Sequence, residues 1–414
     1  MNLTERIETV ILSNLQSANE RKIGIEYESI FYNGRGMRIP VDPADEISAT
    51  DILNELKEIQ AVEGLKSGYT LEPGGQIEWA SPPLSTIHEI DKHHRIHKER
   101  ITNIATREQL TQLDYSLEPT FEPADIALIN NDKYRLMDKM FSKTDSLGRW
   151  MMRNTVSVQI NIDYSSREEA EKMAFVIDCL TPIASILFAN CPFWQGKPAG
   201  NANLRYQIWN ATDNSRCGDL LGHGIVSAKA LIRRYAEYVQ TVPAIFVVGK
   251  QHKIAEFAGT LGEWLELLNE EGRLDEDAIQ VALHQIFTHV RFKNVIEIRG
   301  CDKPPAGFEM APVAFWAGLL LDERALEKVY EIVRKWSLLE REQLKNAAFS
   351  LDLEQSAPKE RTIREWISII SNISKQGLSN RANNLEIAEE TSFLDMYLDY
   401  INEKGIPAIT LQNN

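Results

Sequence analysis

The sequence predicts an α+β fold built around one mostly antiparallel sheet. Stretches in which polar and apolar residues alternate are separated irregularly by long helical patterns, and this alternation is typical of a sheet with one packed face and one open face. Because no Pro-, Gly- or Ser-rich linker interrupts the chain, we expect a single domain over 1–414. The strand-like stretches lie at 21–32, 68–81, 154–164, 244–249 and 290–299, and the helical patterns lie at 85–107, 166–188, 224–238, 311–336 and 359–376.

The charge balance argues against nucleic acid and membrane partners. The chain has 60 acidic and 45 basic side chains, which gives a formal net charge of −15 at pH 7. A surface this acidic repels phosphate backbones and anionic lipids. No apolar stretch in the sequence is long enough to cross a bilayer.

The N-terminus and the cysteines indicate a cytoplasmic location. Leu3, Ile7, Val10, Ile11 and Leu15 recur at helical spacing, so an amphipathic first helix is predicted rather than a signal peptide. The four cysteines have no CxxC and no finger-like metal spacing. Four cysteines in a chain of this length do not form a disulfide scaffold, which makes a reducing compartment the expectation.

The first strand, in KIGIEYESIF, places two carboxylates on one face. Side chains alternate along a strand, so Glu26 and Glu28 lie side by side while Ile25 and Tyr27 point the other way. Two adjacent carboxylates raise each other's pKa unless a cation sits between them. Oxygen ligands held close together suit magnesium, which takes oxygens at ~2.0–2.1 Å. The alternative is a solvated outer face with two ordinary surface glutamates.

A tight turn adds two more carboxylates. Pro73, Gly74 and Gly75 in LEPGGQIEWA predict a turn between two short strands. Glu72 precedes this turn and Glu78 follows it. A plain hairpin is the alternative when the segment is considered alone.

The third strand, TVSVQINIDY, carries an amide-rich face. Ser157, Gln159, Asn161 and Asp163 alternate with an apolar series. Amide side chains can bind a zwitterionic small molecule without excess charge, and the alternative is a solvent-exposed face.

The fourth strand, RFKNVIEIRGCD, carries three bases and one acid on one face. Arg291, Lys293, Glu297 and Arg299 share the same parity. Arg can hold phosphate oxygens bidentately and Lys acts as a point charge, whereas a cross-strand ladder of ion pairs is the alternative. Together the four strands predict a metal-bridged nucleotide site that acts on an acidic substrate.

Other signals do not support a site. No Walker-type loop, GxGxxG or GxSxG motif is present. The histidines of STIHEIDKHHRIHKER stand among many charged residues, so this segment is predicted to be a solvated helix rather than a metal site; they are His88, His93, His94 and His97.

At these segments the sequence resembles the glutamate–cysteine ligases of the plant and proteobacterial type. The resemblance runs in order from about residue 20 to about residue 380. The matching segments are GIEYE at 24–28, LEPGGQIEWASPPLSTIHE at 71–89, MMRNTVSVQINIDYSS at 151–166, IASILFANCPFWQGKPAG at 183–200, RFKNVIEIRGCD at 291–302, PVAFWAGLLLD at 312–322 and SKQGLSNRA at 374–382.

The resemblance implies a glutamine-synthetase-like catalytic fold, in which the sheet forms an open funnel and helices pack on its other face. It implies that ATP phosphorylates the γ-carboxylate of glutamate and that the amino group of cysteine then displaces phosphate. The product would be γ-glutamylcysteine, made for glutathione or a related thiol. The implied co-substrate is ATP, the implied metal is Mg²⁺ with Mn²⁺ as the alternative, and a monomer or a homodimer is expected.

The resemblance also implies roles for individual residues. The implied metal ligands are Glu26, Glu28, Glu72, Glu78 and Glu297. Arg291, Lys293 and Arg299 would bind ATP, with Arg299 and Glu297 at the chemical step. The amino-acid substrates would meet Arg153, Gln159, Asn161 and Arg205. Two alternatives stay open: a γ-glutamyl ligase with a different amine acceptor, and an inactive regulatory homologue.

Overall fold

The computed structural model describes residues 1–63, 67–143, 146–249 and 253–413. Helices and short strands follow one another along the chain in an irregular order. The helices are α1 Leu3–Ile11, α2 Ala49–Glu63, α3 Ile87–Arg107, α4 Asp132–Phe141, α5 Gly148–Asn154, α6 Arg167–Leu187, α7 Leu204–Asn210, α8 Leu231–Thr241, α9 Leu261–Glu270, α10 Glu276–Leu283, α11 Ala311–Leu320, α12 Glu323–Val333, α13 Leu338–Ala347, α14 Ile363–Leu385, α15 Ser392–Lys404 and α16 Pro407–Thr410.

The strands are mostly short. They are β1 Ile23–Ser29, β2 Phe31–Tyr32, β3 Gly68–Leu71, β4 Ile77–Ala80, β5 Thr111–Gln112, β6 Val158–Ile162, β7 Phe193–Trp194, β8 Lys197–Pro198, β9 Cys217–Gly218, β10 Val247–Val248, β11 Ile254–Ala255, β12 Phe287–Thr288, β13 Val290–Phe292, β14 Ile296–Ile298, β15 Ser356–Ala357 and β16 Arg361–Thr362.

Six strands form the main sheet, in the order β13-β14-β6-β1-β4-β3. Every neighbouring pair in this sheet is antiparallel. The antiparallel character predicted from the alternating stretches is therefore confirmed. Because β1 lies at the centre, its residues are the ones most strongly constrained by cross-strand partners on both sides.

The two faces of the sheet differ in chemistry. Tyr27 of β1 and Trp79 of β4 point to one face and are buried. Helix α3 covers this face, since the His94 ring centroid lies 4.7 Å from that of Tyr27 and His97 stacks on Trp79 at 5.2 Å. Side chains of opposite parity point to the other face, which carries the carboxylates and amides described below.

Away from the sheet, α11 and α14 pack with their backbones in contact. Every residue of α11 is buried. A Cβ built on Gly377 of α14 would lie 1.8 Å from the carbonyl oxygen of Gly318 in α11. Only glycine lets two helices approach this closely, so this pair determines how α14 sits against the core.

The structure corrects several predicted strands. The stretch 290–299 is a hairpin of β13 and β14 rather than one strand, and its register sets Arg291 opposite Glu297, so the predicted shared face survives. The strand in 154–164 is shorter than predicted because α5 extends through Asn154. The stretch 244–249 contributes only β10, which pairs with β11 in a separate two-stranded sheet.

Helix boundaries also shift. Helices α3 and α6 confirm the predictions for 85–107 and 166–188. The pattern at 311–336 is two helices, because the Asp322 carboxylate accepts from the Ala325 backbone N–H at 2.9 Å and caps the second one. The patterns at 224–238 and 359–376 begin later, at α8 and α14. The first helix ends at Ile11, and Leu15 is 46% exposed rather than part of its buried face.

The prediction of a solvated helix over the histidines is wrong for two of them. His94 is 2% exposed and His97 is 1% exposed, because α3 turns this side toward the apolar face of the sheet. Burial lowers the pKa of His94 to about 4 and holds that of His97 well below its ordinary value. Of the charged residues that suggested a solvated helix, Lys92, Arg95 and Glu99 are exposed, whereas Arg100 is buried on the same side as the two histidines.

Two further features concern the cysteines and the helices. The four cysteines are free thiols, and all of them are buried. In the described ranges, no helix combines the length and the apolar character needed to span a bilayer.

Candidate active site

The polar face of the main sheet forms the floor of a cavity of about 230 Å³. Cross-strand register brings its acidic side chains together: Glu28 of β1 lies opposite Glu78 of β4, and Glu26 lies opposite Gln159 of β6. The cavity is lined by Glu26, Glu28, Glu72, Pro73, Gln76, Glu78, Lys133, Tyr134, Met137, Met151, Met152, Thr155, Ser157, Gln159, Arg205, Trp209, Phe246, His284, Gln285, Phe287, Arg291, Lys293 and Arg299.

The Pro-Gly-Gly turn positions Glu72 at the edge of this floor. The Gly75 backbone N–H donates to the Glu72 carbonyl at 2.9 Å, and Gly75 adopts φ +80°, which favours glycine. A Cβ on Gly74 would lie 2.6 Å from Cα of Arg153, so the turn touches the end of α5 directly. The Gln76 side-chain amide donates to the carbonyl oxygen of Met152, in the last turn of α5, at 3.1 Å and to that of Thr155, just after this helix, at 3.0 Å. These contacts hold the turn rigidly against the neighbouring helix.

Among the four carboxylates on the floor, Glu28 accepts the most hydrogen bonds. Its Oε2 accepts from the backbone N–H of Ser157 at 2.7 Å and from the Ser157 hydroxyl at 3.3 Å. Its Oε1 accepts from the side-chain amide of Gln159 at 3.0 Å. Burial, together with the nearby charge of Glu72, still raises the pKa of Glu28 to about 7.

The remaining carboxylates on the floor repel one another. Burial raises the pKa of Glu72, and nearby Glu26 adds to that rise. The pKa of Glu78 is held well above its ordinary value by burial and then by the charges of Glu26, Glu72 and Glu28. A group of carboxylates whose ionised forms are disfavoured together is the arrangement that a multivalent cation stabilises.

Glu297 is shared by three bases. Its Oε2 accepts from Nε of Arg291 and, at 3.2 Å, from Arg299, while its Oε1 lies 2.8 Å from Nζ of Lys293. Burial opposes ionisation of this fully buried group, but the three positive charges outweigh burial and hold its pKa well below its ordinary value. Both oxygens thus bind basic side chains, so the predicted metal-ligand role of Glu297 is not supported by this arrangement.

A second basic corner is formed by α7 and the residue after β14. The Arg205 guanidinium donates to the carbonyl oxygen of Arg299 at 3.1 Å and lies 3.8 Å from the carboxylate of Asp302. The guanidinium carbons of Arg205 and Arg299 lie 5.8 and 5.2 Å from the ring centroid of Trp209. Arg299 also donates to the side-chain oxygen of Gln159, which links this corner to the floor.

Most predicted site residues line one cavity, but three do not. Arg153 is held by the Asp138 carboxylate at 2.5 Å and donates to two backbone carbonyls, so it does not line the amino-acid pocket as predicted. Asn161 points to the polar face and donates to Glu26 at 3.2 Å, behind the cavity lining. Glu297 lies beneath the bases, as described above. The predicted residues that do line the cavity are Glu26, Glu28, Glu72, Glu78, Gln159, Arg205, Arg291, Lys293 and Arg299.

The wall opposite the sheet escaped prediction. Lys133 and Tyr134 come from α4, and Phe246 comes from the segment before β10. The polar sequence of α4 resembles an ordinary solvated helix, and only its packing over the sheet makes it part of the cavity. Trp209 was detectable in principle, because it follows Arg205 by four positions and therefore lies on the same side of a helix.

The carboxylates on the floor are of the right chemical type to bind a divalent metal, but their side chains are not positioned around one ion. Glu26, Glu72 and Glu78 offer only oxygen donors, which Mg²⁺ and Mn²⁺ accept. Within the ranges that the structure describes, no three acidic, histidine or cysteine side chains converge closely enough to hold an ion. Rotation of these side chains on their shared face is therefore needed for them to bind one ion.

Comparison with known proteins gives the family of this chain. The family model of glutamate-cysteine ligase family 2 (GCS2) matches residues 22–381. The chloroplastic glutamate–cysteine ligase A of Oryza sativa subsp. indica is 30% identical over 425 residues, which cover 99% of this chain and 84% of that protein. The chloroplastic glutamate–cysteine ligase of Medicago truncatula is 29% identical over 413 residues, which cover 96% of this chain and 79% of that protein.

Two solved structures share the fold at low sequence identity. The glutamate–cysteine ligase of Francisella tularensis in complex with AMP aligns with a TM-score of 0.59 at 11% identity, over 97% of this chain and 85% of that one. A bifunctional glutathione synthetase from Pasteurella multocida aligns with a TM-score of 0.50 at 11% identity; all of this chain is covered, but it spans only 50% of that enzyme. Since the family model spans most of the sequence, the chain belongs to glutamate-cysteine ligase family 2.

Proposed function

We propose that the polar face of the six-stranded sheet is the surface on which this chain joins glutamate to cysteine. As a member of its family, the chain is an ATP-dependent, ADP-forming ligase that makes γ-glutamylcysteine. The observation that supports placing the reaction here is that four carboxylates and five Lys or Arg side chains line a single cavity. That combination can bind a metal-bound polyphosphate and an amino acid together.

The ligation takes two steps on one carboxyl group. An oxygen of the glutamate γ-carboxylate attacks the terminal phosphorus of ATP, the bond from that phosphorus to the bridging oxygen breaks, and ADP leaves. The amino nitrogen of cysteine then attacks the γ-carbonyl carbon, the carbon–oxygen bond to phosphate breaks, and the nitrogen loses a proton. Phosphorylation is required because an unmodified carboxylate offers no adequate leaving group.

The basic side chains are assigned to the anionic groups. Arg299 points into the cavity between Glu297 and Gln159, so we assign it to the transferring phosphoryl group. Arg291 and Lys293 would stabilise the negative charge of the same phosphoryl group from the edge of the floor, where Glu297 holds both side chains in place. Positions fixed before the substrate arrives require little reorganisation during the reaction.

The amino-acid substrate is assigned to the neighbouring corner. Arg205 is 3% exposed and lines the cavity, so it can bind a substrate carboxylate with little competition from water. Gln159 lies between this corner and Glu28 and can hydrogen-bond the substrate's polar groups.

The divalent metal is assigned to Glu26, Glu72 and Glu78, with Glu28 beside them. Mg²⁺ is the metal we propose, and Mn²⁺ is the alternative that the same oxygen donors accept. When bound, the metal would neutralise charge on the phosphates and on the substrate carboxylate.

The test measures ADP release with ATP, Mg²⁺ and glutamate, with and without cysteine and a panel of other amines, together with the mass of the product. Cysteine-dependent release with formation of γ-glutamylcysteine is the expected result. Release that only another amine supports would keep the mechanism and replace the acceptor. ADP release with no amide product would indicate a kinase, and no glutamate-dependent release would indicate an inactive homologue.

Several finer expectations remain proposals. They are a glutamine-synthetase-like funnel over the floor, a single domain, a monomer or homodimer, and a cytoplasmic location. The plant relatives are named chloroplastic, so their location does not support the last of these. Sedimentation of the purified chain would decide the oligomeric state.

A further inference from the structure

Lys133 faces the carboxylates from the opposite side of the cavity. It belongs to the first turn of α4, which Asn131 caps by accepting from the Lys133 backbone N–H at 2.9 Å. The ammonium lies 4.9 Å from the ring centroid of Tyr134 and 6.0 Å from that of Phe246. Two aromatic rings therefore hold a positive charge above the floor without neutralising it.

The other bases of the cavity already have anionic or hydrogen-bonding partners. Arg291 and Lys293 bind Glu297, and Arg291 also donates to two backbone carbonyls. Arg299 binds Glu297 and Gln159, and Arg205 lies near Asp302. The positive charges of these four bases are therefore already partly balanced by acidic or hydrogen-bonding groups of the protein.

Lys133 is different from these bases. Within the described ranges, no carboxylate oxygen lies within 4.0 Å of its Nζ. The acid that affects it most is Glu72, yet burial prevails and lowers the pKa of Lys133. Its charge is thus partly desolvated and has no anionic partner among the described residues, which is costly unless a ligand supplies the counter-charge.

A bound polyphosphate would supply that counter-charge. With a metal on the floor, the negative charge of Glu72 and Glu78 is neutralised and attracts Lys133 less. A phosphate oxygen between the floor and α4 is then the group that complements the ammonium.

We propose that Lys133 contacts the β- or γ-phosphate of ATP from the wall opposite the sheet and is a further catalytic residue of the ligase. The inference rests on the proposed function, because it requires ATP to occupy this cavity. A contact with Lys133 places the triphosphate between α4 and the sheet, whereas the strand pattern alone predicted that only bases of the sheet bind the triphosphate.

The test compares equilibrium binding of a non-hydrolysable ATP analogue with that of adenosine, both with Mg²⁺, by calorimetry. Lys133→Met should weaken binding of the analogue about 10- to 100-fold, the range expected for one charge-assisted contact, and leave binding of adenosine unchanged. Lys133→Arg should restore much of the loss. In turnover assays, Lys133→Met should raise KM for ATP or lower kcat without changing KM for glutamate.

Lys139→Met is the matched control. Lys139 lies on the same helix, its side chain is 52% exposed, and it pairs with Glu256 away from the cavity, so both ligands should bind as in the wild type. Lys133→Gln provides a second variant if the methionine form does not fold.

Three results would overturn the inference. Unchanged binding of the analogue by a folded Lys133 variant would show that Lys133 makes no phosphate contact. The proposed function would still stand in that case if the wild-type protein has ligase activity. Equal weakening of adenosine and the analogue would show that Lys133 only packs the wall. Failure of the wild-type protein to bind the analogue or release ADP would remove the proposed function itself.

Discussion

Replacing Glu297 by Gln tests the charge balance beneath the candidate active site. Glu297 is fully buried and is the carboxylate that Arg291, Lys293 and Arg299 share. The glutamine keeps the shape of the side chain but leaves positive charges in a buried site without their counter-ion. Removing one partner of a buried ion pair typically costs about 3–5 kcal/mol. We expect a loss of that size, which is a large fraction of the ~5–15 kcal/mol that stabilises a typical domain.

The measurement is urea unfolding at pH 7.5, followed by circular dichroism, for Glu297→Gln, Arg291→Met and the double variant. The double-mutant cycle should give a coupling energy of about 2 kcal/mol or more, because both single changes remove the same buried contact between Arg291 and Glu297. Glu354→Gln is the control: Glu354 pairs with Arg364 at the surface, both side chains are more than half exposed, and its loss should cost less than about 1 kcal/mol.

The dependence on pH has a definite sign. The pKa of Glu297 in the folded protein is held well below its ordinary value. The ionised carboxylate therefore stabilises the folded protein fully at pH values above the ordinary pKa of a glutamate, and this stabilisation is lost as the pH falls toward the pKa in the folded protein. The difference between the wild type and Glu297→Gln should therefore stay constant from pH 6 to pH 8 and shrink only in acid. A loss no larger than that of Glu354→Gln, or a coupling energy near zero, would refute the shared role of Glu297.

Three further changes test the floor, the helix behind it and the packing of the core. Glu26→Gln removes one charge from the proposed metal ligands and should lower kcat/KM by about 100-fold or more while leaving the thermal unfolding temperature nearly unchanged, as measured by ADP release and by calorimetry. Burial lowers the pKa of His94 to about 4, against about 6.5 in the unfolded chain, so the unfolded chain binds this proton first as the pH falls. The free energy of unfolding should therefore decrease by about 3 kcal/mol as the pH falls from 6.5 to 4. Urea unfolding of His94→Gln should show a smaller decrease over the same pH range. Gly377→Ala places a methyl group 1.8 Å from the carbonyl oxygen of Gly318 and should cost about 3 kcal/mol in urea unfolding.

Each of these changes has a matched comparison. Glu354→Gln should retain full ligase activity, and an active or unfolded Glu26→Gln would show that the metal assignment is wrong. His93→Gln, one position along α3, should leave the pH dependence of the wild type; an unchanged slope in His94→Gln would exclude His94 as its source. Gly68→Ala adds a methyl group 3.7 Å from Ala80, an ordinary contact, so a similar loss there would mean that the contact between α11 and α14 is not special.

The sequence was sufficient to predict which residues share a face. Side chains at alternate positions of a strand point the same way whatever surrounds them, so Glu26 and Glu28 could be assigned to one face of their strand, and Gln159 and Asn161 to one face of theirs, before the order of the strands was known. The turn at Pro73 to Gly75 was equally local, because its backbone demands those residue types.

The tertiary structure decided which partner each of these groups meets. Period-two alternation cannot distinguish a metal ligand from a counter-ion, and the hairpin of β13 and β14 places Glu297 among three bases. Arg153 was predicted to bind substrate, but the packing of α4 and α5 sets Asp138 beside it. Such contacts join residues that are distant in sequence, so no local pattern records them.

The same reason explains the buried histidines and the wall of the cavity. A helix that carries both histidines and many charges is compatible with solvent or with a packed sheet, and the apolar face around Trp79 made His94 a core residue. Lys133 sits in a polar helix whose sequence is that of an exposed surface, and it faces the carboxylates only because α4 folds over them. Local periodicity thus determined the faces of strands and helices, whereas long-range packing determined which of those faces meet.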